Sequence, residues 1–310
     1  MNETSEFETN IENRDNLEVN SELDTNVNNP SAESEVHDSK KKDKFFTSGL
    51  LFTFLLGFGL AFTLLTFIFN VVFTSIRVVG ESMKPTINTH YVEGKSNPNT
   101  GKDCDIVFCY KQSSYQTNDI VVFSNTDYKY VPIINNEKDG EKVDSMIKRI
   151  IACPGETIIF RSTECPEDYV NDNEDLYFYT FKILDKFRKE KHIDESYLAE
   201  PMFIDTSTYE YEINYYKSKN LFLNYVSLLE TLVDGGDYSV TIPKDCYYVM
   251  GDNRNNSSDS RFFGAISIED ITGKVVLQVE YGKSIWSAIW KTLTSSYIIN
   301  LRSTYEKIFS

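Results

Sequence analysis

Between Phe45 and Ile76 the chain carries no charged residue. The middle of this stretch, from about Leu50 to Phe69, is rich in Leu and Phe and about 20 residues long, the length one helix needs to cross the hydrocarbon layer of a bilayer. The run predicts a single transmembrane helix over residues 45–75, since so long an uncharged segment fits poorly in a globular core. A cleaved secretory signal fits no better: the run is too long, starts too late and is not followed by Ala-x-Ala. Lys40, Lys41, Lys42 and Lys44 flank its amino end, and Arg77 alone flanks the other. The excess of basic residues marks the cytoplasmic side, so residues 1–44 are expected inside and everything after 76 outside the plasma membrane, in single-pass topology. Residues 1–38 hold eleven acids and one base, Arg14, and account for −10 of the net −16 of the 310 residues. The 1–44 tail has few apolar residues to bury and is expected to be disordered. No basic face remains for nucleic acid.

After the anchor the pattern changes to short β-type runs separated by Gly, Asn, Asp and Pro. Strands are predicted at Ile76–Val79, Asp105–Tyr110, Asp119–Phe123, Ser145–Ala152, Glu156–Arg161, Tyr238–Ile242, Cys246–Met250 and Thr272–Tyr281. The expected class is mainly β: an antiparallel β-sheet catalytic domain from 76–161 and 238–283, behind one N-terminal helix. Residues 162–237, rich in Tyr, Lys and acids, form an α/β insertion or cap in which Leu176–Lys191 and Leu221–Leu232 have helical character. From 284 to 310 an amphipathic helix is expected, because Trp286, Ile289, Trp290, Leu293, Tyr297, Leu301, Tyr305 and Ile308 recur at steps of three and four. That stripe suits a helix packed on its own domain or one lying in a membrane interface.

Five cysteines leave at least one without an intramolecular partner. Small buried thiols explain them, and a Cys153–Cys165 bridge is the alternative. The Cys104–Cys109 spacing has no histidine near it and gives no reason to expect a metal. No cofactor is expected either.

The chemistry rests on Ser82, in Gly80-Glu81-Ser82-Met83-Lys84-Pro85, and Lys148, in Met146-Ile147-Lys148-Arg149-Ile150-Ile151. A serine hydroxyl attacks only when a base takes its proton. The three histidines, His37, His90 and His192, stand in no accompanying motif, so a Ser-His-Asp triad is not the expectation. A lysine serves if burial keeps it neutral, and lowering its pKa by about two units corresponds to ~2.7 kcal/mol. Strand alternation puts Lys148 on the face opposite Ile147 and Arg149. A third block, Gly251-Asp252-Asn253-Arg254 through Arg261, follows an apolar strand, where a loop can aim polar groups into a site.

Ser82-Met83-Lys84-Pro85-Thr86, Asp119-Ile120-Val121-Val122-Phe123, Lys148 through Gly155, and Gly251 through Arg261 occur in the order of the boxes of type I signal peptidases. The chain resembles these bacterial, membrane-bound Ser/Lys endopeptidases from about residue 45 to 282, with a gap at the insertion. Its single anchor resembles the Gram-positive form. The resemblance implies Ser82 as nucleophile, Lys148 as general base, Ser257 as the hydroxyl that orients the lysine, and the Ser82 N–H as one oxyanion donor. Gly80 stands where some members place a serine donor. Asp259 with Arg261, and Asp252 with Arg149, match supporting ion pairs, and Ile76, Val78 and Ile147 match the lining of shallow substrate pockets. The implied reaction is removal of signal peptides from secretory preproteins after Ala-x-Ala-like sequences, by a monomer bound to the lipid bilayer. Asn118 and Glu156 depart mildly from the usual Gly and Asp, and the long insertion and C-terminal helix are additions. The alternative is an inactive anchored homologue that binds signal sequences or scaffolds a complex. A self-cleaving repressor-like protease would need a DNA-binding domain in place of the anchor and acidic tail.

Overall fold

The computed structural model describes residues 30–294 apart from 98–99, 127–128, 131–144, 168 and 170–174, with 30–48 described by backbone alone. Two compact units divide at Leu65 and Thr66. The first unit carries most of helix α1 (Pro30–Val72). Within α1, Gly49–Val72 is long and apolar enough to cross a membrane, with a mean hydropathy of 2.2. The helix corrects one expectation. Residues 30–44 were expected in the disordered tail, but α1 continues back to Pro30, while 1–29 lie outside the described residues. Extending a formed helix adds one hydrogen bond per residue, and Pro30 at its first position forfeits no bond.

The second unit is built on two antiparallel sheets. The larger has seven strands in the order β1-β2-β12-β3-β4-β10-β11. They are β1 (Thr74–Arg77), β2 (Ile106–Tyr110), β3 (Ile120–Ser124), β4 (Ser145–Ala152), β10 (Cys246–Met250), β11 (Ile266–Ser267) and β12 (Ile271–Val279). The smaller sheet orders β7 (Glu190–Lys191), β6 (Leu176–Leu184), β5 (Thr157–Ser162) and β9 (Tyr238–Thr241), with β8 (Met202–Asp205) also paired to β6. Helix α2 (Thr206–Lys219) and helix α3 (Leu223–Val233) follow β8, and a short helix α4 (Ser260–Phe263) lies between β10 and β11.

The eight predicted strands all form, with ends shifted by up to two residues, which is the usual fuzziness of strand limits. The helical reading of Leu176–Lys191 is corrected: the segment is β6, a tight turn and β7. Phe178, Phe181 and Ile183 of β6 are buried, and six consecutive residues pair with β5. Aromatic and β-branched residues suit a pleated, half-buried surface better than a helix. Helix α2 went unpredicted because its only buried residue is Ile213; Asp205 caps it by accepting from the Ser207 N–H. Helix α3 sits where Leu221–Leu232 was expected. All five cysteines are free thiols, so Cys153–Cys165 is not a bridge. A helix, α5, runs over 285–294, and the rest of its predicted stripe, from Tyr297 on, lies outside the described residues.

One core joins Ile151 of β4, Ile158 and Phe160 of β5, Ile183 of β6, Leu228 and Leu232 of α3 and Tyr248 of β10. The strands expected in the catalytic body and those expected in the insertion therefore share a core and a sheet. A smaller cluster of Val78, Met83, Ile87, Val107, Cys109 and Val122 lies under the serine loop.

Candidate active site

Ser82 sits in the loop that leaves β1. That loop is held by long-range bonds rather than by regular structure. Val78 N–H donates to the Asp105 carbonyl at 2.9 Å. Buried Asn88 donates through Nδ2 to the carbonyls of Val78 and Gly80, at 3.1 and 2.9 Å. Asp105, fully buried, fixes Asn88 in turn: it accepts from the Asn88 N–H at 2.7 Å, and its own N–H donates to Asn88 Oδ1 at 2.9 Å. Gly80 has φ +92°, a conformation that glycine adopts without the strain of a side chain. Met83 and Ile87 anchor the far side of the loop in the apolar cluster below it.

Lys148 projects from β4 toward this loop. Its Nζ lies 2.7 Å from Ser82 Oγ, and the residue is 3% exposed. Burial, the largest influence, pulls its pKa down from 10.5 to about 8; Asp259 and Asp252 push it up and Arg261 pushes it down, all through space. At pH 7 about one molecule in ten then carries a neutral lysine, roughly 300-fold more than at the unshifted value.

The Gly251–Arg261 loop closes over both residues. The Asn253 N–H donates to the Ser82 carbonyl at 3.0 Å. Gly251 has no room for a side chain, because an added Cβ would collide with the Ser257 hydroxyl and the Ser82 carbonyl oxygen. Asp259 accepts from the Gly251 N–H at 3.0 Å and from Arg261 Nε and Nη2 at 2.9 and 2.8 Å. Burial alone would raise the Asp259 pKa, but the Arg261 charge, its hydrogen bonds and the Gly251 N–H outweigh it and hold the carboxyl below the usual range. Arg149 holds Asp252 in a two-pronged pair at 2.7 and 2.6 Å. Ser257 Oγ is buried and has no hydrogen-bond partner among the described residues, so in this conformation it does not bond Lys148. Ile76, Val78 and Ile147 gather at the apolar cluster beneath Ser82.

Besides Asn88 and Asp105, the sequence did not point to Arg254, Tyr197 or Glu195. Arg254, quoted only as part of its block, is buried and donates to the Gly251 carbonyl at 3.0 Å. It also donates to the Tyr197 hydroxyl at 2.9 Å, and it meets Glu195 at 2.6 Å in an ion pair not aligned as a hydrogen bond. The Tyr197 ring lies 3.9 Å from the Arg149 guanidinium. Burial pushes the Tyr197 pKa up to about 12, so its hydroxyl stays neutral and accepts from Arg254. The insertion thus reaches the catalytic loop, and its Ala199 and Glu200 line a cleft of about 390 Å³ with Lys84, Pro85, Asp252 and Asn253. No local motif marks Glu195 or Tyr197, because their partners, Arg149 and Arg254, lie far away in the chain. At Asn118 the departure from glycine is absorbed by the backbone: φ is +72°, a region asparagine tolerates.

The family model for signal peptidase, peptidase S26, matches residues 51–280. The chain is 27% identical over 202 residues to signal peptidase I of Streptococcus pneumoniae, covering 65% of this chain and 79% of that protein. It is 24% identical over 226 residues to signal peptidase IB of Staphylococcus aureus, covering 73% and 87%. A crystal structure of a signal peptidase I from Enterococcus faecalis matches 52% of this chain and 97% of its own, at 17% identity and a TM-score of 0.24. With three quarters of its length matched by the family model, the chain belongs to the signal peptidase family, peptidase S26, a family of serine endopeptidases.

Proposed function

We propose that this chain is a membrane-anchored signal peptidase that cuts exported preproteins with a Ser82–Lys148 dyad. The observation that carries the reading is the 2.7 Å approach of Lys148 Nζ to Ser82 Oγ in a buried setting. When Lys148 is neutral, the Ser82 O–H donates to its lone pair, and the proton passes to nitrogen as Oγ attacks the scissile carbonyl. The lysine later returns that proton to the leaving amine. Water then hydrolyses the acyl-enzyme by the same exchange. Ser257 supplies a hydroxyl that can receive the ammonium between these steps. The Ser82 N–H, by its match to the family's oxyanion donor, supplies one hydrogen bond to the developing oxyanion.

Two free strand edges suit an extended substrate. Among the described residues β1 pairs only with β2, and Ser145–Lys148 of β4 only with β3, since β10 meets β4 from Arg149 onward. A peptide added there would set alternate side chains toward Ile76, Val78 and Ile147, and their match to the lining of the family's shallow pockets supports a preference for small groups. The apolar helix is read as the anchor, with the Lys40–Lys44 cluster holding its amino end in the cytoplasm.

The test uses the full chain in liposomes with a preprotein that ends its signal in Ala-x-Ala. A single cut after the second alanine is expected, and phenylalanine at either alanine position should reduce cutting at least tenfold. Equal cutting of the phenylalanine substrates would overturn the specificity. Retention of the preprotein without turnover would favour an inactive binding homologue.

A further inference from the structure

The chain has two tryptophans, and both lie on α5. Trp286 is 75% exposed, Trp290 70% and Leu293 62%. Steps of four and three residues put them in one stripe along the helix. The other side of α5 is already used. Ala288 is buried, and Ile289, Thr292 and one flank of Leu293 line a cleft of about 190 Å³ with Phe69, Phe73, Phe108 and Leu277, so Leu293 stands at the border between the used side and the bare one. A helix that only packs on its own domain turns its largest apolar groups inward. This one buries an alanine and presents both tryptophans outward.

What covers the bare stripe follows from where the helix is held. Phe69 lies in the last turn of the apolar span that closes at Val72, and its ring packs on Phe73 and Phe108 at 4.8 and 5.6 Å. The cleft shared with Phe69 and Phe73 therefore keeps α5 beside the point where that span ends. Tryptophan, with an apolar body and one N–H, favours the headgroup zone of a bilayer. From 283 to 294 the only charged residues are Lys283 and Lys291, so nothing on α5 repels an anionic leaflet. We propose that α5 is a membrane-seating helix, with Trp286 and Trp290 lying among the lipid headgroups of the leaflet in which α1 ends. The proposal rests on α1 being the anchor. Its consequence is a catalytic unit held at a fixed height above the bilayer, independent of the single anchor's tilt.

Because no other residue in the chain is a tryptophan, the tryptophan emission of the full chain, excited at a wavelength tyrosine does not absorb, reports on α5 alone. The chain is reconstituted in liposomes and washed with alkaline carbonate, which removes proteins that are not integrated. Emission is then quenched with iodide in the water, or with lipids brominated near the headgroup end or deep in the acyl chain. The expected result is a blue-shifted spectrum, strong loss of emission with the shallow bromines, a weaker loss with the deep ones, and little loss with iodide. Trp286→Phe and Trp290→Phe, each leaving one reporter, should behave alike. A chain that survives carbonate but is quenched by iodide and not by bromolipid overturns the seating helix and leaves the anchor standing. Shielding from both quenchers also overturns it, in favour of cover by protein, including a second copy. A chain stripped by carbonate overturns the anchor and this proposal together. A functional readout adds a second arm: Trp286→Glu with Trp290→Glu should slow cutting of membrane-inserted preprotein while leaving cutting of a short soluble peptide unchanged.

Discussion

Lys148→Met is expected to lower kcat/KM on a preprotein by roughly 10⁴-fold or more and, at the same time, to make the fold more stable. The loss follows from removing the base that lies 2.7 Å from Ser82 Oγ. The gain follows from linkage. The folded-state pKa of Lys148, about 8, lies below its ordinary value of 10.5. Below pH 8 both folded and unfolded chains hold the proton, and the folded state carries the full cost of a buried ammonium. Between pH 8 and 10.5 only the unfolded chain binds the proton, so stability climbs with pH, and above 10.5 the cost is gone. A shift of about 2.5 units corresponds to roughly 3 kcal/mol. Methionine keeps the stem and removes the charge. Chemical denaturation at pH 7 should show the variant more stable by up to about 3 kcal/mol, with the difference vanishing by about pH 10.5. An inactive variant that is no more stable at pH 7 would mean that the lysine is not held in a desolvating site.

Arg261→Met has the opposite effect on the fold. It leaves Asp259, 0% exposed, as a charge without its partner. Breaking a buried pair from one side costs about 3–5 kcal/mol, and the cost should appear as a lower denaturant midpoint. The same variant should shift the activity profile. Arg261 lowers the Lys148 pKa through space and Asp259 raises it. Removing the arginine should therefore move the acid limb of the pH–rate profile upward, and Asp259→Asn should move it downward. The asparagine keeps the shape of the side chain, so it supplies the sign of the effect if the methionine variant folds poorly. Limbs that stay in place in both variants would show that this pair acts on the fold and not on the lysine.

Much of this site was legible because its parts announce themselves locally. Ser82, Lys148 and the Gly251–Arg261 block each lie in a pattern of small, apolar and charged residues that suits a strand or tight loop, and together they occur in the order of the family's boxes. The supporting framework was not legible in that way. Asn88 hides in the Ile87-Asn88-Thr89 run, and its role depends on Asp105, seventeen residues on. Tyr197 and Glu195 meet Arg149 and Arg254 only because β6 to β8 fold back onto the catalytic loop. That fold-back was itself obscured, since Leu176–Lys191 mixes aromatic, aliphatic and charged residues in proportions that suit either helix or strand until the pairing with β5 decides. Helix α2 offers only a thin stripe, Tyr209, Ile213 and Tyr216, in an otherwise polar run. The C-terminal stripe was visible, but not which of its apolar groups turn outward.

The proposed chemistry depends above all on a neutral Lys148 beside Ser82, and the pH dependence of kcat/KM for one Ala-x-Ala preprotein, with the full chain in liposomes, tests this directly. The expected profile rises about tenfold per pH unit on the acid side and levels near pH 8, where the lysine loses its proton. A profile that is flat from pH 6 to 9, or that levels near the ordinary histidine value of about 6.5, would contradict the Ser82–Lys148 mechanism.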